Sequence, residues 1–149
     1  MNRDFVELLS AFNDHEVEYL VVGAHALAAH GHVRATKDLD VWIRPSDTNA
    51  AKAHRALAAF GAPLSELSVD DLTNEGTIFQ IGVAPVRIDI LTHIDGISFD
   101  EAWPARLSTR VGGIEASVLS REHLIRNKRA SGRLQDLADL ERLERGDDD

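Results

Sequence analysis

Glu18-Tyr19-Leu20-Val21-Val22-Gly23-Ala24 and, after thirteen intervening residues, Asp38-Leu39-Asp40-Val41-Trp42-Ile43 are the two stretches around which the rest of the chain can be organised. The first is an apolar run of the kind that forms a buried strand, and it stops at a glycine. Ala24 to His30 is rich in Ala and Leu, which predicts a short helix starting at the glycine turn. The second stretch predicts a strand closed by Pro45. Its period of two sends Asp38 and Asp40 to one face and Leu39 and Val41 to the other. Strand, turn, helix and acidic strand are expected to form one βαβ neighbourhood, with the turn close to the two carboxylates.

Upstream, Phe5, Leu8, Leu9 and Phe12 fall at i, i+3, i+4 and i+7, which predicts an amphipathic helix over Asp4 to Asp14. Downstream, Ser46 is a candidate N-cap for an Ala-rich helix from Asp47 to Phe60, and Gly61 fits its end. Thr77 to Val83 and Val86 to Leu91 predict two strands joined antiparallel at Ala84-Pro85. Ser98 and Glu101 have capping-box spacing, and Gly112-Gly113 separates two β-prone pieces as a turn. The last third predicts two helices breaking near Ser131-Gly132. The expected class is α/β in the α+β sense: a mixed sheet flanked by helices, with further helices at the C-terminus. One domain is expected over residues 1–145, followed by a loose acidic tail at 146–149.

The chain has 149 residues, with 16 Lys plus Arg against 25 Asp plus Glu and a formal net charge of -9. That balance disfavours holding nucleic acid mainly by phosphate neutralisation, so any such contact is expected to be local. There is no cysteine, which excludes disulfides and thiolate zinc sites and suits a reducing interior. Charged residues interrupt the N-terminus where a signal peptide needs an apolar core, and no stretch reaches the roughly 20 apolar residues of a membrane span. A cytoplasmic protein with no membrane association is expected.

Val86-Arg87-Ile88-Asp89-Ile90 repeats the alternation and sends Arg87 and Asp89 to one face. If this strand neighbours the one carrying Asp38 and Asp40, three carboxylates converge. Two carboxylates about 4 Å apart repel by about 4 kcal/mol at an effective dielectric of 20, so such a cluster calls for counter-charge or a shifted protonation. Hard divalent cations with oxygen ligands answer that need. The alternative is that Asp38 and Asp40 are polar residues on a solvated sheet edge and that Asp89 lies elsewhere.

The combination of Val22-Gly23-Ala24, the pair Asp38 and Asp40, and Asp89 on a later strand resembles the nucleotidyltransferase superfamily of the DNA polymerase β-like fold. Within it, the chain is similar to the small bacterial branch of AbiEii-like and minimal nucleotidyltransferases. His25 to Val41, with its Arg34-x-Thr36-x-Asp38 approach, and Leu124 to Leu140 carry the same resemblance. It implies transfer of a nucleoside monophosphate from an NTP to an acceptor hydroxyl, with Asp38, Asp40 and Asp89 as catalytic residues and ligands of Mg²⁺, or Mn²⁺. Gly23, Ala24, Arg34, Lys128 and Arg133 are the implied nucleotide-binding residues. The implied acceptor is a tRNA, a protein or a small molecule; the branch also suggests a toxin-antitoxin role, with a homodimer or an antitoxin-like partner. Ala24 departs from the pattern, which has Gly or Ser there. A methyl group would restrict the turn if that position needed a positive φ. A non-catalytic nucleotide-binding or interaction module on the same fold is the alternative function.

Lys128 and Arg133 have a plainer reading as part of a solvated basic face with Arg126, Arg129 and Arg142, and Arg34 as an ion-pair partner. His25, His30 and His32 lack the i, i+4 spacing of helical zinc ligands and read as ordinary hydrogen-bonded histidines. Trp42 and Trp103 read as core or interface fillers. Leu134, Leu137, Leu140 and Leu143 read as the packing row of the last helix, with room for a dimer seam.

Overall fold

In the computed structural model, which describes residues 1–33, 37–82 and 86–145, the first helix, α1 (Arg3–Asp14), begins at Asn2, whose side chain accepts from the Asp4 amide. It buries the expected stripe of Phe5, Leu8, Leu9 and Phe12, each side chain contributing about 1.5–3 kcal/mol by leaving water. β1 (Tyr19–Val22) is buried along its length, and the chain turns at Gly23 into α2 (Gly23–Ala29). β2 (Asp38–Ile43) follows, then α3 (Asp47–Phe60), capped by the Ser46 hydroxyl on the Asn49 amide and ended by Gly61 in the left-handed region. A 3-10 turn at Asp70–Thr73, which the sequence reading lacked, precedes β3 (Ile78–Ile81) and β4 (Arg87–Leu91).

Ser98 and Glu101 form the anticipated capping box at the start of α4 (Phe99–Ala102). β5 (Leu107–Val111) and β6 (Ile114–Val118) flank the Gly112-Gly113 turn. α5 (Arg121–Ser131) ends on left-handed Gly132, and α6 (Leu134–Arg145) completes the fold. The expected Ala84-Pro85 connection, Arg34, Thr36 and the expected tail at 146–149 lie outside the described residues.

The strands form a six-stranded mixed sheet in the order β3-β4-β2-β1-β6-β5. β3 and β4 are antiparallel, as expected, whereas β2 and β4 are parallel neighbours. β1 and β2 pair antiparallel, with Val22 opposite Asp40, so the opening unit is not the expected βαβ crossover. α2 has seven residues and spans only about 10 Å, so it does not carry the chain back along the sheet. β2 therefore starts beside the end of β1, and Gly23 is brought directly against the acidic strand.

The pleat gives the sheet two different faces. Ile88 lines a cavity with Phe5 of α1 and Phe60 of α3, while Asp40 and Leu91 line a cleft with Lys128 of α5. The leucine row expected on α6 holds only toward its C-terminal end, where Leu143 is fully buried; Leu134 is 88% exposed and Leu137 48% exposed. The buried residues of α6 are Asp136, Asp139 and Leu143. The apolar period misleads here because an ammonium group, not a hydrocarbon surface, faces this side of the helix.

Candidate functional site

The β2/β4 register places Asp40 beside Asp89 and Asp38 beside Arg87. Arg87 Nε donates to Asp89 Oδ1 at 2.9 Å, and its Nη2 lies 3.5 Å from Asp38 Oδ2. The sheet thus joins Asp40 and Asp89 as a pair and holds Asp38 across an arginine, a looser arrangement than three converging acids. Arg87 supplies part of the counter-charge that the sequence reading demanded. Burial, then the Asp89 charge and a hydrogen bond with Asp89, then the Asp38 charge, push the Asp40 carboxyl up to about 7, against a smaller opposing pull from Lys128. Asp40 is therefore the member of this pair that holds its proton, hydrogen-bonded to Asp89.

Gly23 is needed here twice over. Its φ is +67°, and a Cβ would stand 2.4 Å from Asp40 Oδ2. The positive φ falls on Gly23 and not on Ala24, so the alanine at the departure from the family pattern leaves the turn unstrained. Val22 gives α2 no side-chain cap, leaving the first amides of the helix for another acceptor.

The helical side of the cleft comes from α5 and the turn after it, backed by α6. Lys128 is 4% exposed, and its Nζ lies 3.3 Å from Asp136 Oδ1 and 3.1 Å from Asp139 Oδ2. An ammonium has three N–H donors, so two are accounted for by these carboxylates while Lys128 still lines the cleft. Arg133 Nε donates to Asp136 Oδ2 at 2.7 Å with its side chain 78% exposed. Burial pushes the Asp136 carboxyl up, but the Arg133 hydrogen bond and the charges of Lys128 and Arg133 outweigh it, and the net shift is down. The other basic residues of α5 are also engaged: Arg126 with Glu101 and Arg129 with Glu144. Asp136 and Asp139 were not foreseen as partners. The available signal was two aspartates three apart on one helix, following a lysine on the helix before it.

Between the walls lies a cleft of about 350 Å³ whose lining includes Gly23, Asp40, Asn127, Lys128 and Arg133. Ala24 is buried beside it in the first turn of α2. The donor set of Asp38, Asp40 and Asp89 is all carboxylate oxygen, on one sheet face, and one member holds its proton up to about 7; that chemistry fits a hard divalent cation. Among the described residues no three His, Asp or Glu side chains already surround a common metal position, because Arg87 engages Asp38 and Asp89. His30 follows the plainer reading, its Nε2 bonding the Leu119 carbonyl at 2.8 Å, whereas His25 packs edge-on against Phe5 and its Nε2 is buried without a hydrogen-bond partner among the described residues. No helix among the described residues is long and apolar enough to cross a membrane.

A family model described as nucleotidyl transferase of unknown function (DUF2204) matches residues 1–149. No curated protein matches the chain by sequence. Among solved structures, the Thermotoga maritima protein TM1012 aligns with 15% identity over 96% of this chain and 89% of that one, at a TM-score of 0.60. The lincosamide antibiotic adenylyltransferase LnuA, with lincomycin bound, aligns with 13% identity over 97% and 96%, at 0.61. ANT(2")-Ia in complex with adenylyl-2"-tobramycin aligns with 13% identity over 93% and 84%, at 0.61. At these identities the likeness is one of fold.

Proposed function

The chain belongs to this nucleotidyl transferase family, and from that premise we propose that it moves a nucleoside monophosphate from an NTP to an acceptor hydroxyl, releasing pyrophosphate. The observation that carries the reading is that Asp40, hydrogen-bonded to Asp89 and packed against Gly23, lines one cleft with Lys128 and Arg133. Asp38, Asp40 and Asp89 would hold Mg²⁺, or Mn²⁺. A divalent ion there would supply charge neutralisation of the triphosphate and polarise the reacting oxygens.

The chain's own residues do the rest. Gly23 lets the triphosphate approach the backbone where a side chain would collide with Asp40, and Ala24 keeps the helix start in line. Asp89 is placed to receive the acceptor proton, with Asp40 as its hydrogen-bond partner. Lys128, fixed by Asp136 and Asp139, presents its remaining donor to the leaving phosphates, and Arg133, held by Asp136, adds an exposed guanidinium at the rim. Arg34 completes the nucleotide-binding set in this reading. Arg87, held by Asp89 and Asp38, balances part of the acids' charge and would share that role with a bound cation.

The acceptor is a tRNA, a protein or a small molecule. LnuA has lincomycin bound and ANT(2")-Ia is in complex with adenylyl-2"-tobramycin, which supports the last of these. An AbiEii-like toxin-antitoxin setting, a cytoplasmic location, a homodimer or antitoxin-like partner, and a single domain over 1–145 with an acidic tail belong to the same proposal. The test is incubation of pure protein with Mg²⁺, α-labelled NTPs and a cell lysate, alongside Asp40→Asn. Label should enter one class of molecule and drop about 10²–10³-fold in the variant. Equal labelling by both proteins would remove Asp40 from the chemistry.

A further inference from the structure

Next to the acidic cleft runs a second groove of about 300 Å³, and the two share His93 and Ile94. Trp42 and Phe99 line it, and their rings meet edge to face with centroids 4.9 Å apart. Trp42 is two residues beyond Asp40 on β2 and on the same face, so the groove begins about 6.6 Å from the carboxyl pair along the strand. Trp42 is 2% exposed and its indole Nε1–H has no hydrogen-bond partner among the described residues. A buried donor without an acceptor is uncommon in a finished core and expected where a ligand supplies the acceptor.

The charges around the groove are unevenly matched. The Ser98 amide and then the Arg126 hydrogen bond hold the Glu101 carboxyl below its usual range, and Asp100 pairs with Arg44. Arg44 also binds Glu18 at 2.7 Å and lies 4.8 Å from the Phe99 ring centre. The cations at this rim are therefore committed. Glu75 lines the groove, is exposed and has no cation partner among the described residues. The surplus is negative, which repels a polyanion such as RNA and attracts an ammonium group. A volume of this size suits a small ligand.

Resting on the transfer reading above, we propose that this groove seats the acceptor and that the acceptor is a small hydroxylated amine: its ammonium group faces Glu75, its carbon skeleton lies on Trp42 and Phe99, and one of its oxygens accepts from Trp42 Nε1–H. A hydroxyl on such a molecule reaches the Asp40–Asp89 pair past His93. Its oxygen forms a bond to the α-phosphorus, the bond from that phosphorus to pyrophosphate breaks, and the hydroxyl proton passes to the carboxyl pair and on to water.

The experiment offers pure protein, Mg²⁺ and α-labelled NTPs to three separate acceptor pools: amino sugars with aryl amino alcohols, the matched neutral alcohols, and a CCA-ended RNA hairpin. Calorimetry with a non-hydrolysable NTP runs in parallel. The expected result is label in the amine pool, with KM for the labelled amine raised about tenfold in Glu75→Gln, equivalent to about 1.4 kcal/mol, and NTP affinity unchanged. Trp42→Phe should also raise KM; because Trp42 is buried, the exposed Glu75 is the variant that decides. Label only in the neutral or RNA pool, label in none of them while NTP binds, or an unchanged KM in Glu75→Gln overturns the groove assignment and leaves the transfer reading standing. Failure of the NTP to bind removes both.

Discussion

Asp40 lines the cleft from the sheet, Asp136 is buried against the Lys128 and Arg133 that line it from the helical side, and the two carboxyls are driven in opposite directions. Asp40 faces Asp89 and Asp38, with Arg87 engaged elsewhere in the cluster, and is pushed up to about 7 by burial and carboxylate neighbours. Asp136 is buried too, yet Arg133 and Lys128 overcome that burial and hold it below the usual aspartate range. A cluster that balances its own charge holds a fold together. A cluster that leaves charge unbalanced costs stability and is poised for a cation or a proton from outside. The helical wall is of the first kind and the sheet wall of the second.

The largest effect should come from breaking the balanced wall. Lys128→Met leaves Asp136 and Asp139 buried without their ammonium and should lower unfolding stability by about 3–5 kcal/mol, read by urea denaturation. The triply substituted Lys128→Met, Asp136→Asn, Asp139→Asn chain should recover most of that loss. A loss below about 1 kcal/mol in the single variant would mean the triad is not the compensated unit described.

Altering the unbalanced wall should do the reverse. At pH 8, Asp40→Asn should raise stability by about 1 kcal/mol, roughly 3 °C in Tm, while transfer is lost. The sign follows from linkage. The folded chain holds the Asp40 proton up to about 7, above the ordinary aspartate value, so its contribution is favourable at low pH and is withdrawn as pH rises from about 4 to about 7. The gain in Asp40→Asn should therefore shrink toward zero as pH falls to about 4. Asp136 has the opposite sign: its depressed value stabilises the fold above the ordinary aspartate range, and that contribution is lost on further acidification. A Tm difference between wild type and Asp40→Asn that does not vary between pH 4 and 8 would contradict the unbalanced assignment.

The smallest effect is expected at the rim. Arg133→Gln removes an ion pair whose cation is largely exposed and should change stability by less than about 1 kcal/mol. Its mark should be a higher KM for NTP with the fold intact. A large loss of stability would make Arg133 a structural part of the helical wall.

Much of the fold was legible because its signals are local. Asp38 to Ile43 and Asp47 to Phe60 match β2 and α3, since a period-two acidic strand, a Ser N-cap and a left-handed glycine stop each act within a few residues. The Asp40–Asp89 juxtaposition was legible only as a condition, because strand order depends on contacts distant in sequence. The β1/β2 direction was missed for the same reason, and it brings Gly23 closer to Asp40 than a crossover would. The α6 leucines misled because hydrophobic periodicity does not register Lys128, whose ammonium turns Asp136 and Asp139 inward. The unpartnered Trp42 indole had no sequence signal at all, since an unmet hydrogen bond is a property of surroundings.

If the unbalanced carboxyl pair is the ligand site, the Asp40 proton must leave when nucleotide and metal bind. Calorimetric binding of Mg²⁺ with a non-hydrolysable NTP, repeated in buffers of different ionisation enthalpy, counts the protons exchanged. At pH 6 the wild-type chain should release about one proton more than Asp40→Asn, and at pH 8.5 that excess should vanish. Equal proton counts for the two chains at pH 6, with binding intact, would show that the nucleotide and its metal settle elsewhere.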